Sequence, residues 1–213
     1  MFNVWKQHIP SDIDVLAAYL PGRERRYAEP ASTNLRWIVD SITSAIQSLT
    51  PCPLTLFGHS LGALIAYEVV QSLEEKGIQP YLLIASGRHC PGTPANTKPI
   101  SHLPDAAFLQ AMSQYGGMSP EILACEELLE ILLPAIRADF TLSEQYHKQP
   151  SRCKVNTPIM VLGSPDDAIV DYEKLENWKT LSESTVNIHA FEGGHFFLQK
   201  AYPRIIDLYL TQI

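Results

Sequence analysis

The sequence predicts an α/β fold, a mostly parallel central sheet flanked by helices and carrying an inserted helical lid. Three observations predict it. Short apolar runs alternate with stretches of helical periodicity, the segment from about 100 to 147 holds helical patterns but no strand, and a glycine-bracketed turn joins one apolar run directly to a helical one. Strands that read as continuous apolar runs are buried on both faces, which is the condition of a parallel sheet between two layers of helix.

Asp14-Val15-Leu16-Ala17-Ala18-Tyr19-Leu20 reads as a buried strand stopped by Pro21-Gly22. Leu35, Ile38, Val39, Ile42, Ala45, Ile46 and Leu49 then recur at helical spacing. Leu54-Thr55-Leu56-Phe57 is a short strand that runs into Gly58-His59-Ser60-Leu61-Gly62, and a helix follows to about Lys76, with Gly77 as its C′ residue. Tyr81 to Ser86 is the next strand. The lid follows, with helices over Asp105 to Tyr115 and Glu126 to Tyr146, a break at Gly116-Gly117 and a kink expected at Pro134. Alternation resumes with the strand Ile159–Leu162, a helix around Tyr172 to Leu181, the strand Val186 to Phe191 and a closing helix from about Phe197 to Leu210. No repeat, low-complexity tract or linker interrupts the chain, so residues 1–213 read as one domain with a cap.

The bulk properties exclude several classes. With 46% apolar and 18% charged residues in 213, the chain is globular in composition and long enough for a substantial core. A net charge of −7 with no Lys/Arg run argues against a nucleic-acid partner. No stretch approaches the ~20 apolar residues that span a bilayer, and Met1-Phe2-Asn3-Val4-Trp5-Lys6 lacks the form of a signal peptide. Cys52, Cys90, Cys125 and Cys153 match neither a metal knuckle nor a disulfide framework. A cytoplasmic monomer without membrane contact is expected.

The chemistry-bearing feature is Gly58-His59-Ser60-Leu61-Gly62, a G-x-S-x-G sequence between strand and helix. That context is the nucleophile elbow of the α/β-hydrolase fold. The turn is so sharp that a Cβ two residues before or after the serine is expected to clash, hence a glycine at each place. Ser60 is lifted to a helix N-terminus, where the dipole and N–H groups favour developing negative charge, and the N–H of Leu61 is expected to form half of an oxyanion hole. A serine hydroxyl needs a base, and the base an orienting carboxylate, in the chain order Ser, acid, His. His195 follows Glu192-Gly193-Gly194 between the last strand and the last helix, the setting for a base, whereas the side chain of His59, beside the serine, is expected to point elsewhere. The acid lies in Ser164-Pro165-Asp166-Asp167, and pattern alone leaves Asp166 and Asp167 both open. No metal or organic cofactor is implied, because such a triad supplies base, nucleophile and charge stabilisation.

Four further stretches carry a resemblance: Leu20-Pro21-Gly22-Arg23, Leu132-Leu133-Pro134-Ala135-Ile136-Arg137-Ala138-Asp139-Phe140, the segment from the aspartates to Trp178, and Gly193-Gly194-His195-Phe196-Phe197-Leu198. Over nearly its whole length the chain resembles the stand-alone (type II) thioesterases that accompany polyketide and nonribosomal peptide synthetases. The resemblance implies Ser60 as nucleophile and His195 as general base. It also implies Asp167 as the acid, since that family's acid precedes its tryptophan by eleven positions, and here the tryptophan is Trp178. The implied activity is hydrolysis of acyl groups from the phosphopantetheine thiol of acyl or peptidyl carrier proteins. Leu109, Met112, Tyr115, Met118, Ile122 and Leu129 are candidates to line an acyl tunnel, with plain helix packing as the competing reading.

The chain departs from the family at its start, where a further strand and a loop of the form Phe-Pro-x-Ala-Gly-Gly are expected. That strand would lie between Asp14–Leu20 and Leu54–Phe57, and that loop would supply the second oxyanion donor. Two readings follow: an N-terminal segment is lacking, or the sheet is rearranged to compensate. The first is preferred, and it predicts weak activity and poor stability for the 213-residue form. Three alternatives to the thioesterase are weighed: a hydrolase of oxygen esters, an acyltransferase, and a non-catalytic module that binds carrier proteins.

Overall fold

The computed structural model describes residues 4–49, 51–94, 98–113, 122, 125–146 and 154–212. Four strands, β1 (Thr55–His59), β2 (Leu82–Ser86), β3 (Ile159–Gly163) and β4 (Val186–Ala190), form one sheet in the order β1-β2-β3-β4, every pair parallel. Among the described residues five α-helices accompany them: α1 (Leu35–Gln47), α2 (Leu61–Glu75), α3 (Asp105–Ser113), α4 (Glu126–Tyr146) and α5 (Leu198–Leu210).

The apolar runs work as strands because side chains alternate across the sheet. Leu83, Ala85, Ile159 and Val161 share one face with Ala63, Tyr67 and Val70 of α2 and with Leu175, Trp178 and Leu181. Leu82, Ile84, Met160 and Leu162 share the other with Phe191, Phe197, Leu198, Ile205 and Ile206 around α5, and with Trp5 of a 3₁₀ turn at Trp5–Gln7. α1 packs outside α2 through Ile38, Val39, Leu64, Ile65, Val69 and Leu73. Asn34 caps α1, its side chain accepting the N–H of Trp37 at 3.0 Å. α2 ends as Gly77 predicts: φ is +76°, Gly77 N–H bonds Glu74 C=O, and Ile78 N–H reaches back to Leu73 C=O.

Two expectations change. Asp14–Leu20 is irregular and partly exposed, with Leu16 71% accessible. Apolar content alone does not make a strand. The backbone also needs a ladder partner, and among the described residues no strand lies beside this run. Tyr172–Leu181 is helical but of the 3₁₀ type. Its apolar residues fall at Tyr172, Leu175, Trp178 and Leu181, a strict spacing of three, which lines them up on one face only at three residues per turn. Leu175 and Trp178 are fully buried there, and burial of a side chain such as Leu175 contributes about 1.5–3 kcal/mol.

The insertion between β2 and β3 is held mainly from α4. Arg137 donates to the carbonyls of Ser101 and Leu103 and to Asp105, and its guanidinium covers the Phe108 ring at 4.3 Å. Glu144 accepts the N–H groups of Ile100 and Ser101, and Asp139 takes both guanidinium arms of Arg23 at 2.7 and 2.8 Å. Phe140 meets Phe108 edge to face at 5.3 Å. The Leu-Pro-x-x-Arg-x-Asp-Phe stretch therefore fastens the helical segment to the body of the protein.

Candidate active site

The carboxyl ends of β1, β3 and β4 deliver three side chains to one point, as ligand sites in open parallel sheets require. Ser60 follows β1 at φ 53°, ψ −118°, in a region where a non-glycine residue costs about 1–3 kcal/mol. The turn is held by Ser60 N–H donating to the Ser86 carbonyl at 2.8 Å and Ala63 N–H donating to the Ser60 carbonyl at 3.0 Å. Gly58 lies so close to the first turn of α2 that a Cβ there would stand 2.0 Å from the carbonyl oxygen of Gly62. The same reasoning fails for Gly62, whose Cβ would meet nothing within 4 Å among the described residues. Gly62 is already inside the helix, so among the described residues only the first glycine is demanded by packing.

His195 stands between the other two groups. Its Nε2 is 3.1 Å from Ser60 Oγ and its Nδ1 is 2.8 Å from Asp167 Oδ2. The two side chains are 8% and 1% exposed, so their hydrogen bond is shielded from water. Asp167 Oδ1 accepts the N–H groups of Ile169 at 2.8 Å and Val170 at 3.1 Å. Burial alone would raise the Asp167 pKa, but the hydrogen bond and charge of His195, with those two N–H groups, outweigh it and hold the carboxyl below its ordinary range. Asp166 is exposed. The fully buried Ser164 links the two loops, its Oγ accepting Asp166 N–H at 3.3 Å and Gly194 N–H at 3.2 Å. With Nδ1–H given to Asp167, Nε2 presents a lone pair to the Ser60 hydroxyl, which is the arrangement a general base needs.

Leu61 opens α2 immediately after the serine. Leu109 and Met112 pack in the insertion's own core with Ile100 and Phe108. Ile122 and Leu129 are half-buried, and Tyr115 and Met118 lie outside the described residues, as do the Gly116-Gly117 break, His147 and Cys153.

Sequence reasoning missed His59. Its ring packs 5.0 Å from the His195 ring, with Nδ1 3.1 Å from Ser86 Oγ. Burial first, and then the charge of His195, lower its pKa to about 3. In the unfolded chain the ring takes up a proton below about 6.5. The folded protein refuses that proton down to about 3, so the unfolded state binds more protons and stability falls as pH drops through this window. Urea unfolding is expected to show a slope of up to about 1.4 kcal/mol per pH unit from this group, and His59→Gln is expected to lose that component. An identical acid profile in the variant would contradict it.

A family model described as a thioesterase domain matches residues 1–213. The gramicidin S biosynthesis protein GrsT of Aneurinibacillus migulanus is 34% identical over 216 residues, a match covering 100% of this chain and 83% of that protein. Among solved structures, the RedJ thioesterase from the prodiginine pathway of Streptomyces coelicolor superposes with a TM-score of 0.89 at 27% identity, covering 100% of this chain and 80% of that one. YbtT, a type II thioesterase from the yersiniabactin NRPS/PKS pathway, superposes at 0.83 with 28% identity, covering 91% and 79%. The fold is thus that of the α/β-hydrolase thioesterases, and among the described residues no helix is long and apolar enough to cross a membrane. By its sequence match, its fold and the strand-end constellation of Ser60, His195 and Asp167, the chain belongs to the thioesterase family.

Proposed function

We propose that this thioesterase hydrolyses acyl groups from the phosphopantetheine thiol of acyl or peptidyl carrier proteins, releasing stalled chains from a polyketide or nonribosomal peptide synthetase in the cytoplasm. The observation that carries the reading is the hydrogen-bonded line from Ser60 through His195 to Asp167. It is supported by similarity to proteins of gramicidin S, prodiginine and yersiniabactin biosynthesis.

In this mechanism Ser60 Oγ attacks the thioester carbonyl while His195 Nε2 takes its proton. The N–H of Leu61, reinforced by the dipole of α2, receives the charge that develops on the carbonyl oxygen. The tetrahedral intermediate collapses, the C–S bond breaks, and the thiolate leaves with the proton held by His195. Water then gives a proton to His195 and its oxygen to the acyl carbon, and as the ester bond to Ser60 breaks His195 returns that proton to Ser60 Oγ, releasing the acid and restoring the resting site. Asp167 keeps the imidazole in the required tautomer and stabilises its charged form.

Thioester and oxygen ester of one acyl group, tested side by side, separate this reading from that of an esterase. The expected result is a higher kcat/KM for the thioester, with the free acid as product. Equal or faster turnover of the oxygen ester would overturn it, and transfer of the acyl group to an added alcohol in place of water would point to an acyltransferase.

A further inference from the structure

The His59 ring fills a place made for it. At the end of β2, Gly87 takes φ +58°, and a Cβ on it would sit 2.5 Å from His59 Cε1, so the backbone there closes directly onto the imidazole. On the far side the ring meets His195 at 5.0 Å, Phe197 edge-on at 5.9 Å and Phe196 at 6.1 Å. Ser86, fully buried, is a hydrogen-bond partner of Nδ1. Nε2 is buried with no hydrogen bond among the described residues, on the side where the His195 backbone approaches the ring.

His195 is reached by a loop that contains Gly193 and Gly194, both at positive φ. Asp167 restrains only the Nδ1 edge of its ring. Ser164 holds the Gly194 N–H of this glycine-rich loop and Phe196 meets the His195 ring edge-on at 5.1 Å, while His59, at the end of β1, bears on that ring from its own side at 5.0 Å. We propose that His59 is a positioning residue for the base: it accepts the Ser86 hydroxyl at Nδ1, directs Nε2–H to the His195 backbone, and so holds Nε2 of His195 against Ser60. A neutral ring suits this position because the neighbouring imidazole becomes charged in each half-reaction, and a second positive charge beside it would oppose that step. Burial, which keeps the ring uncharged at neutral pH, serves the same end.

The proposal rests on the thioesterase reading, so its test includes a signal that needs no substrate: the low-field proton resonance of the His195–Asp167 hydrogen bond. His59→Phe keeps an aromatic ring and removes both polar contacts, while His59→Gln keeps a donor near the position of Nε2. For His59→Phe the expected result is a kcat on an acyl-pantetheine thioester lowered about 10- to 100-fold, the scale of a base misplaced by about 1 Å. KM is expected to stay unchanged and the low-field resonance to broaden or vanish, with His59→Gln recovering most of both. Should the phenylalanine variant not fold, Ser86→Ala takes its place, with a smaller loss of kcat and the same broadening expected. An unchanged kcat in the folded phenylalanine or Ser86 variant, or equal losses in His59→Phe and His59→Gln with the resonance intact, overturns the proposal. Absence of thioester turnover in the unmodified protein would instead overturn the reading of its function, and the resonance would still decide the role of His59.

Discussion

Replacing Asp167 by Asn is expected to lower kcat on an acyl-pantetheine thioester by about 10⁴-fold, while Asp166→Asn leaves it within about two-fold, as for a surface change away from the site. The two residues are adjacent, of one chemistry and on one loop, yet their settings differ entirely. The Asp167 side chain is 1% exposed and bonds His195, Ile169 and Val170, whereas Asp166 is exposed. An amide at 167 keeps the shape but presents a donor or a neutral acceptor to Nδ1. The imidazole then loses both its tautomer control and the negative charge that stabilises its protonated form. Steady-state kinetics of the two variants, with circular dichroism to confirm folding, measure the difference. Similar losses in both would show that general loop disturbance, and not the hydrogen bond to His195, governs activity.

Gly58→Ala is expected to destabilise the protein by about 3 kcal/mol or more and to abolish most activity in whatever folds. The new Cβ would stand 2.0–2.5 Å from Gly62 O, Gly62 C and Ala63 N, which are backbone atoms of the helix that carries the serine. No rotamer change relieves that contact, so strand and helix must separate and Ser60 must leave its 3.1 Å approach to His195. Gly62→Ala is the matched control. Its Cβ enters open space in a helical position, where alanine is favoured over glycine by up to about 1 kcal/mol, so stability is expected to hold or rise. Thermal unfolding of the pair checks this, and comparable destabilisation by both substitutions would contradict the asymmetry seen in the turn.

These two glycines also show where sequence reading reaches and where it stops. The sheet strands from Leu54 onward, the elbow and the place of His195 were legible because each is a local pattern: an apolar run, a strand–glycine–serine–glycine–helix turn, a histidine after a final strand and a Gly-Gly pair. Even the span Glu126–Tyr146 follows from helical periodicity alone. What was not legible depends on neighbours distant in sequence. Asp14–Leu20 has the composition of a strand, but among the described residues no strand lies beside it. Gly62 matches the motif, but its surroundings leave room for a side chain. His59 sits next to Ser60 in sequence, and its setting comes from the residues after β2 and β4 that close around it. The Tyr172–Leu181 segment held a usable signal, since apolar residues every third position mark a 3₁₀ rather than an α-helical face. Arg137, Asp139 and Glu144 likewise gain their meaning only once Arg23 and residues 100–105 are placed against α4.

The most direct test of the central claim is release of a radiolabelled acyl group from a loaded carrier protein by this chain and by Ser60→Ala. Free acid released by the unmodified chain, and reduced by about 10⁶-fold, to the background rate, in Ser60→Ala, is the predicted result. Release at equal rates by both, or binding of the carrier by both with no release from either, would contradict it.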